Sequence, residues 1–310
     1  MQLRTIISNI IRQKGQITTA DIVRQTGHSR AYVQRLLKNL ADEGVLVLIG
    51  KANQAHYIVP PKKGAVLSKP LKIHRIMFNK NLAEDKVLRQ IKQESAIFES
   101  MNKNHSSIID YAFTEMLNNA IEHSTSEKID VVMMKTPTDI RFTVTDRGVG
   151  LFNNIKETKN LNTTMEAIQD LLKGKETTAP DAHSGEGIFF TSKIADLLTI
   201  KSFEKKLVFD NIGEDIYIKD IHAVKGTKVD FVLGHNAKKK LSDVFSKYTD
   251  DSFRFSKTGV KVNLYHQEVD YVSRSQARRI LTGLEKFKDI ELDFKDVKSI
   301  GQAFADEIFR

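Results

Sequence analysis

The spacing of apolar residues over the first sixty residues predicts three helices followed by two short strands. The first helix carries its apolar side chains on one face, at Leu3, Ile6, Ile7, Ile10 and Ile11. Thr18 together with Asp21 predicts the N-terminal cap of a short second helix, and Ser29 predicts that of a third. The third helix has its apolar side chains at Val33, Leu36, Leu37 and Leu40. The segments VLVLI and AHYIV, which flank the turn GKANQ, are typical of paired strands.

This order of elements resembles a winged helix-turn-helix over residues 1–60, followed by a linker rich in proline and lysine at 61–75. Up to Arg75 the chain has thirteen basic and three acidic residues, an excess larger than the net charge of +9 of the whole chain. A basic module of this kind favours double-stranded DNA as its partner, and the alternatives are a protein partner or a role in dimerisation.

The resemblance implies that the third helix enters the major groove with its first residues toward the base edges. The candidate DNA-binding residues are Ser29, Arg30, Tyr32, Gln34 and Arg35 toward the bases, with Lys38 and Lys51 toward the phosphates.

A second pattern begins at Ile108, where apolar positions predict a buried helix that extends to His123. The opposite face of this helix is polar, with Glu115, Asn118, Asn119, Glu122 and His123 on one stripe. Polar side chains are costly to bury unless each of them has a partner. A ligand that carries a metal ion is one way to supply those partners.

Three further motifs are compatible with the same ligand. The strand-like run IRFTVTD ends at Asp146, and two glycines follow it in the sequence DRGVG. The sequence HSGEGI opens an apolar helix, and the free N–H groups at a helix N-terminus bind phosphate well. A Gly-Thr pair, Gly226-Thr227, then precedes the strand KVDFVL.

In this order and spacing the motifs resemble the GHKL ATPase superfamily, an α/β sandwich of the Bergerat type, over residues 76–234. Among its members, the sequence EMLNNAIEHS is most similar to the anti-sigma-factor serine kinases. The resemblance implies ATP and Mg²⁺ as cofactors. It implies that Asn119 coordinates Mg²⁺, that Glu115 orients or deprotonates the attacking group, and that Asp146 accepts a hydrogen bond from the adenine amine.

The same resemblance assigns the remaining candidate residues. Thr227 lies beside Asp146, and Gly148 and Gly150 form the floor of the adenine pocket. Gly185 and Gly187 contact the triphosphate. Residues 151–184 are expected to form a polar lid in which basic residues, Lys173 and Lys175 among them, face the phosphates; an ordinary solvated loop is the alternative for each of these residues.

The end of the chain is expected to contain a polar connection at 235–257 and a partial STAS-like segment at 258–310 with the order β-α-β-α. STAS partners of anti-sigma kinases are phosphorylated on a serine. The corresponding positions here read Gly301-Gln302-Ala303 and carry no hydroxyl. This departure favours a docking or regulatory role for the segment.

Composition narrows the remaining possibilities. The chain has no cysteine, which excludes disulfides and thiolate metal sites, and it has no apolar run near the ~18 residues of a membrane span. A cytoplasmic location without membrane contact is therefore expected.

The sequence thus predicts an α/β multidomain, ATP-binding transcription regulator in which Mg-ATP, with slow hydrolysis, controls the DNA-binding module. The alternatives are a protein serine kinase acting on a separate STAS partner, and a gyrase- or MutL-like ATPase. A homodimer is expected by analogy. Whether the chain is a weak ATPase or a kinase stays open.

Overall fold

The computed structural model describes residues 7, 10–11, 16–42, 45–49, 55–58, 70–174, 186–252, 254–265 and 271–310. The chain forms two compact units, which are Met1–Pro70 with Thr136–Thr138, and Leu71–Lys135 with Asp139–Arg310. Helices and sheets occur in both units, which confirms the predicted α/β class.

The described elements of the first unit are α1 (Thr19–Thr26), α2 (Arg30–Asp42), β1 (Val47–Ile49) and β2 (His56–Ile58). Both predicted helix caps are confirmed. Thr18 Oγ1 accepts the N–H of Asp21 at 3.1 Å, and the Asp21 carboxylate accepts the N–H of Thr18 at 2.9 Å. Gly27, with a φ of 69°, follows the last residue of α1, and Ser29 Oγ accepts the N–H of Tyr32 at 3.3 Å at the start of α2.

The first unit has its own small core beneath an antiparallel hairpin. In that hairpin Leu48 lies opposite Tyr57, and Tyr57 also pairs with Ile17. The buried side chains of this core are Ile7, Ile10, Ile17, Ile22, Val33, Leu37, Leu40 and Leu46. Of the first predicted helix, Ile7, Ile10 and Ile11 are described and helical, whereas the turn GKANQ lies outside the described residues.

The second unit contains a five-stranded antiparallel sheet with the order β3-β4-β5-β7-β6 among its described residues. Its strands are β3 (Leu71–Phe78), β4 (Lys128–Lys135), β5 (Asp139–Asp146), β6 (Leu197–Asp210) and β7 (Asp215–Gly234). Alternate residues of the central strands are buried on one face, as expected for a sheet that is covered on that side. Phe142 lies opposite Phe231 on this face, and their rings stack with centroids 4.8 Å apart.

Helices cover that face of the sheet. The described ones are α3 (Glu84–Glu94), α4 (Lys103–His123), α5 (Leu151–Thr158), α6 (Thr164–Lys173) and α7 (Gly187–Ile194). The long helix α4 lies at the centre, and its Phe113 meets Phe142 edge to face with ring centroids 5.4 Å apart. The apolar stripe predicted from Ile108 onward is therefore the contact of α4 with the sheet.

The prediction of a polar lid at 151–184 is wrong for residues 151–174. This stretch forms α5 and α6, whose side chains Phe152, Ile155, Ala167, Ile168 and Leu171 are buried in the main core. The reason lies in the helical spacing of these apolar residues, which surrounding polar residues obscure in the sequence. Residues 175–185, with the candidate site residues Lys175 and Gly185, lie outside the described residues.

The C-terminal part of the second unit contains β8 (Lys257–Lys261), α9 (Arg274–Leu281), β9 (Asp289–Asp293) and α10 (Gln302–Ile308) after an additional helix, α8 (Leu241–Tyr248). Strands β8 and β9 are parallel, in agreement with the predicted β-α-β-α order. Ser273 caps α9 as predicted, through a capping box with Gln276. The predicted strand VKVNL ends at Lys261 and continues as a 3-10 turn.

Helix α8 lies in the segment expected to be a polar connection. Its Phe245 stacks on Phe190 of α7 with ring centroids 4.4 Å apart, and its Tyr248 meets Phe189 at 5.0 Å. Val244, Phe245 and Tyr248 recur at helical spacing and pack against the aromatic core of the C-terminal part. The described residues contain no helix with the length and apolar character needed to span a membrane.

Candidate functional site

The polar stripe predicted on α4 is present and lies at the edge of the core. Glu115, Asn118, Asn119 and His123 are half-buried, while Glu122 is exposed. The neighbouring apolar residues of the helix are buried, so α4 fixes the position of each polar side chain. This face of the helix therefore borders a cavity and is not an ordinary solvated surface.

A pocket lies beside this stripe and brings together residues from distant parts of the chain. It is lined by Asn119 of α4, Asp146 at the end of β5 and Thr227 of β7. The remaining lining residues are mostly apolar and are Met116, Ala120, His123, Ser124, Val144, Leu151, Asn154, Ile188 and Val229. The pocket thus combines apolar walls with a few polar groups, which is the usual composition of a small-molecule site.

Asp146 is the buried charged group of this pocket, with 4% of its surface exposed. The N–H of Gly148 donates to its Oδ1 at 2.9 Å. Burial raises the pKa of Asp146, and hydrogen bonds from Gly148 and Thr227 oppose that rise. The hydroxyl of Thr227 also accepts the N–H of Leu151 at 2.8 Å, which connects β7 to the start of α5. The carboxylate is therefore held in a fixed orientation by its neighbours.

Two glycines near Asp146 are required by close backbone packing. A Cβ on Gly148 would lie 1.6 Å from the carbonyl oxygen of Ser124, and one on Gly226 would lie 2.3 Å from that of Asp146. Gly226 also has a φ of 76°, which disfavours any other residue. The residues that line the pocket do not include Gly148 or Gly150, so their predicted adenine contact stays a prediction.

Glu115 lies against the first turn of α7, one helical turn before Asn119. A Cβ on Gly187 would come within 2.0 Å of Glu115 Oε2, so a side chain at this position would displace the carboxylate from its present place. The pKa of the nearby Tyr111 phenol is raised by burial and by the negative charges of Glu115 and Glu186. Glu115, Gly187 and Glu186 therefore meet at the N-terminus of α7.

Lys173 does not face the phosphate side that the sequence predicted. The residue is 3% exposed, and its Nζ donates to the carbonyl oxygens of Thr282 at 2.6 Å and Arg279 at 3.1 Å. In return, the hydroxyl of Thr258 donates to the carbonyl oxygen of Lys173 at 2.6 Å. Lys173 thus fastens α6 to the C-terminal part of the unit, and the prediction for this residue is wrong.

The predicted DNA-binding side chains lie on the outer face of α2. Those that the structure describes are all exposed, and they are Ser29, Arg30, Tyr32, Gln34, Arg35 and Lys38. Val33 and Leu37 on the opposite face are buried in the core of the first unit. Lys51 lies outside the described residues. The outer face of α2 is therefore free of packing contacts with that core.

Several lining residues of the pocket were not predicted. Ile188 follows Gly187 directly, and Asn154 lies one turn into α5, where its side chain donates to the carbonyl oxygen of His123 at 3.4 Å. The only signal for them in the sequence is their closeness to the two glycine motifs. The described residues contain no group of three His, Asp or Glu side chains that would hold a metal ion without further ligands.

Comparison with protein families gives three matches along the chain. Residues 4–47 match a winged helix-turn-helix DNA-binding family, residues 81–209 match a histidine kinase-like ATPase domain, and residues 276–310 match a STAS-like domain of unknown function (DUF4325). Searches of curated proteins and of solved structures each gave no significant match. The chain therefore combines a winged helix-turn-helix, a GHKL-like ATPase domain and a STAS-like segment, in the order predicted from its sequence.

Proposed function

We propose that the protein is a DNA-binding regulator in which Mg-ATP, bound by the central domain, controls the winged helix-turn-helix. The observation that carries this proposal is that Asn119, Asp146 and Thr227, which are far apart in the sequence, line one pocket. The match to a DNA-binding family supports DNA binding by the first module, and the match to an ATPase family supports ATP binding by the central domain.

The adenine ring is proposed to occupy the Asp146 end of the pocket. A carboxylate accepts hydrogen bonds and does not donate them, so it suits the exocyclic amine of adenine. Thr227 lies beside it, and the apolar side chains of Met116, Leu151 and Ile188 offer surfaces for a flat ring. The hydrogen bonds from Gly148 and Thr227 orient the carboxylate before any ligand arrives.

The phosphates are proposed to lie between Asn119 and the start of α7. The N-terminus of α7 offers backbone N–H groups, and Gly187 in its first turn, beside Glu115, is proposed to contact the phosphates. Asn119 would hold Mg²⁺ together with phosphate oxygens, because Mg²⁺ is usually bound by few protein ligands. The ion would neutralise phosphate charge when bound. Glu115, one turn away, is placed to orient or deprotonate an attacking group, and Lys175 and Gly185 are proposed as further phosphate contacts.

DNA is proposed to bind through the exposed face of α2. Arg30, Gln34 and Arg35 have the donor groups that read base edges in the major groove, and Lys38 suits a phosphate. Control by nucleotide requires that ATP bind two conformations of the protein with different affinities. The STAS-like segment is proposed as a docking or regulatory element, and a homodimer is the proposed assembly.

A protein serine kinase is the second candidate function. Glu115 and Asn119 lie one turn apart on α4, and Glu115 also contacts α7, an arrangement that suits phosphoryl transfer. The acceptor would belong to a separate STAS protein, because Gly301 and Ala303 have no hydroxyl. Gly301 is itself tightly packed, since a Cβ there would lie 2.9 Å from the Cα of Val272.

One experiment separates these functions. The full chain is incubated with γ-labelled ATP and Mg²⁺, and retained ATP, free phosphate and label on added STAS protein are measured separately. A Glu115→Gln variant is compared with Glu127→Gln, an exposed glutamate outside the pocket. Loss of free phosphate only in Glu115→Gln indicates an ATPase, labelled STAS protein indicates a kinase, and intact ATP retained by all variants indicates a nucleotide sensor.

Control of DNA binding by nucleotide is tested by measuring DNA affinity. A preferred duplex is selected from a random library with the full chain, and its dissociation constant is measured with no nucleotide, with ADP and with ATP and Mg²⁺. The proposal expects at least a several-fold difference between these states and loss of binding in Arg35→Ala. Equal affinity in all three states would contradict nucleotide control, and failure to retain ATP at all would contradict the nucleotide site.

A further inference from the structure

A second cavity lies on the other side of α7 and is separate from the Asp146 pocket. Its volume is about 160 Å³, and its walls come from α6, α7, α8, the β6–β7 hairpin and the C-terminal strands β8 and β9. Ile188 of α7 lines both this cavity and the Asp146 pocket. The cavity therefore lies where the ATPase-like part meets the C-terminal part of the same unit.

Lys193 of α7 is a cationic side chain that lines this cavity. Its Nζ lies 4.9 Å from the ring centroid of Phe189 and 5.6 Å from that of Tyr248, so two aromatic faces surround the ammonium. Within the part of the chain that the structure describes, no carboxylate lies within ion-pair distance of it. The ammonium thus has aromatic neighbours but lacks an anionic partner in this part of the chain.

The surrounding charges leave this position electropositive. Burial and the nearby Lys247 and Lys261 lower the pKa of Lys193 to about 8, Glu291 opposes the shift, and Lys239 adds to it. Glu291 is exposed, so solvent screens its charge. A partly buried cation of this kind is destabilised unless an anion compensates it, which favours an anionic ligand.

The walls and the size of the cavity limit the class of that anion. Beyond the charged residues, the lining is largely apolar and includes Leu171, Leu172, Phe209, Ile216, Val260 and Leu264. A dry apolar cavity of roughly 150 Å³ is large enough to hold a benzene ring. Glu291 and Asp293 also line the cavity, and their negative charge, although weakened by solvent, disfavours a multiply charged phosphate more than a singly charged acid.

We propose that this cavity binds a small monocarboxylate with an apolar body, aromatic or branched aliphatic, whose carboxylate pairs with the ammonium of Lys193. The apolar body lies against the aliphatic walls from α6 and β8, and the carboxylate lies toward α7. This site takes a different ligand from the nucleotide pocket, and it does not depend on the function proposed above.

The test uses the full chain and simple probes. Binding of benzoate and of isovalerate is measured by isothermal titration calorimetry at pH 7, beside the neutral analogue benzyl alcohol and inorganic phosphate. At least one carboxylate is expected to bind at one site per chain, at least tenfold more tightly than benzyl alcohol or phosphate. Absence of carboxylate binding, or tighter binding of phosphate, would overturn the proposal.

Three variants locate the site. Lys193→Met keeps an apolar side chain of similar length and is expected to weaken carboxylate binding at least tenfold, whereas Lys238→Met, an exposed lysine outside the cavity, leaves it unchanged. Gly259→Val fills the cavity from β8, where a Cβ meets only the carbonyl oxygen of Glu291 at 4.0 Å. Unchanged carboxylate affinity in both Lys193→Met and Gly259→Val would place the binding elsewhere and refute the assignment.

Discussion

The pocket at Asp146 and the cavity at Lys193 each contain a charged side chain that is withdrawn from solvent, but the two charges are stabilised differently. Asp146 receives hydrogen bonds from Gly148 and Thr227, while Lys193 rests on aromatic rings. The hydrogen bonds to Asp146 stabilise and orient its carboxylate, so that it can accept a further hydrogen bond from a ligand. The aromatic rings beside Lys193 do not neutralise its charge, so that this site favours an anionic ligand.

A second lysine makes the contrast sharper. Lys173 is less exposed to solvent than Lys193, yet its ammonium donates to the carbonyl oxygens of Arg279 and Thr282 and lies near Asp170. Burial lowers the pKa of both lysines. The difference in partners assigns Lys173 to structure and Lys193 to binding, because a saturated ammonium has no capacity left for a ligand.

The largest effect is expected from Asp146→Asn. The amide adds a donor next to the N–H of Gly148 and removes the charge, so ATP affinity should fall by about 100-fold, or ~2.7 kcal/mol. Calorimetric titration with ATP checks this, with Asp215→Asn, an exposed aspartate on the β6–β7 hairpin, as the matched control. Wild-type ATP affinity in Asp146→Asn would remove Asp146 from the nucleotide site.

Substitution of the two lysines by methionine should change stability in opposite directions. Lys173→Met leaves two carbonyl oxygens without their donor and is expected to destabilise the protein by about 2 kcal/mol. Lys193→Met removes a partly buried cation that has no anionic partner among the described residues, and it is expected to stabilise the protein by about 1 kcal/mol. Urea denaturation measures both values, and a loss of stability in Lys193→Met would mean that its ammonium already has a stabilising partner.

The pH dependence of stability tests the same contrast. Between pH 8 and pH 10.5 the folded state has released the proton of Lys193, while the unfolded chain still binds it. The contribution of Lys193 to stability therefore rises with pH across this window, and the stability of the wild type relative to Lys193→Met should increase by on the order of 1 kcal/mol. Urea denaturation of both proteins at several pH values isolates Lys193, and a constant difference would contradict its lowered pKa.

Three polar residues of the Asp146 pocket, Asn119, Asp146 and Thr227, were predictable because they occur in recognisable local motifs. Asn119 belongs to a polar stripe on an apolar helix, and Asp146 ends a strand directly before two glycines. Such patterns point to the right elements. They do not reveal that Gly148 packs against Ser124, since that contact depends on how the end of α4 meets the loop after β5.

The Lys193 cavity was not predictable, because its walls come from segments that no local pattern connects. Tyr248 belongs to α8, a helix hidden in a stretch that looks like a polar connection, and Lys261 and Glu291 come from two strands of the C-terminal part. Lys173 illustrates the same limit. The polar and basic character of residues 151–184 suggested that Lys173 contacts phosphate. Its acceptors are instead two carbonyl oxygens about a hundred residues further along the chain.

The smallest expected effect is coupling between the two sites. Ile188 lines both, and the neighbouring Gly187 contacts Glu115, so a ligand that shifts α7 would change the nucleotide pocket as well. If both proposed sites exist, saturating benzoate should change ATP affinity about 3-fold, and ATP should change benzoate affinity by the same factor. Calorimetric titration of each ligand in the presence of the other measures this. Gly259→Val should abolish the benzoate effect while ATP still binds, and persistence of the effect in that variant would locate the coupling outside the cavity.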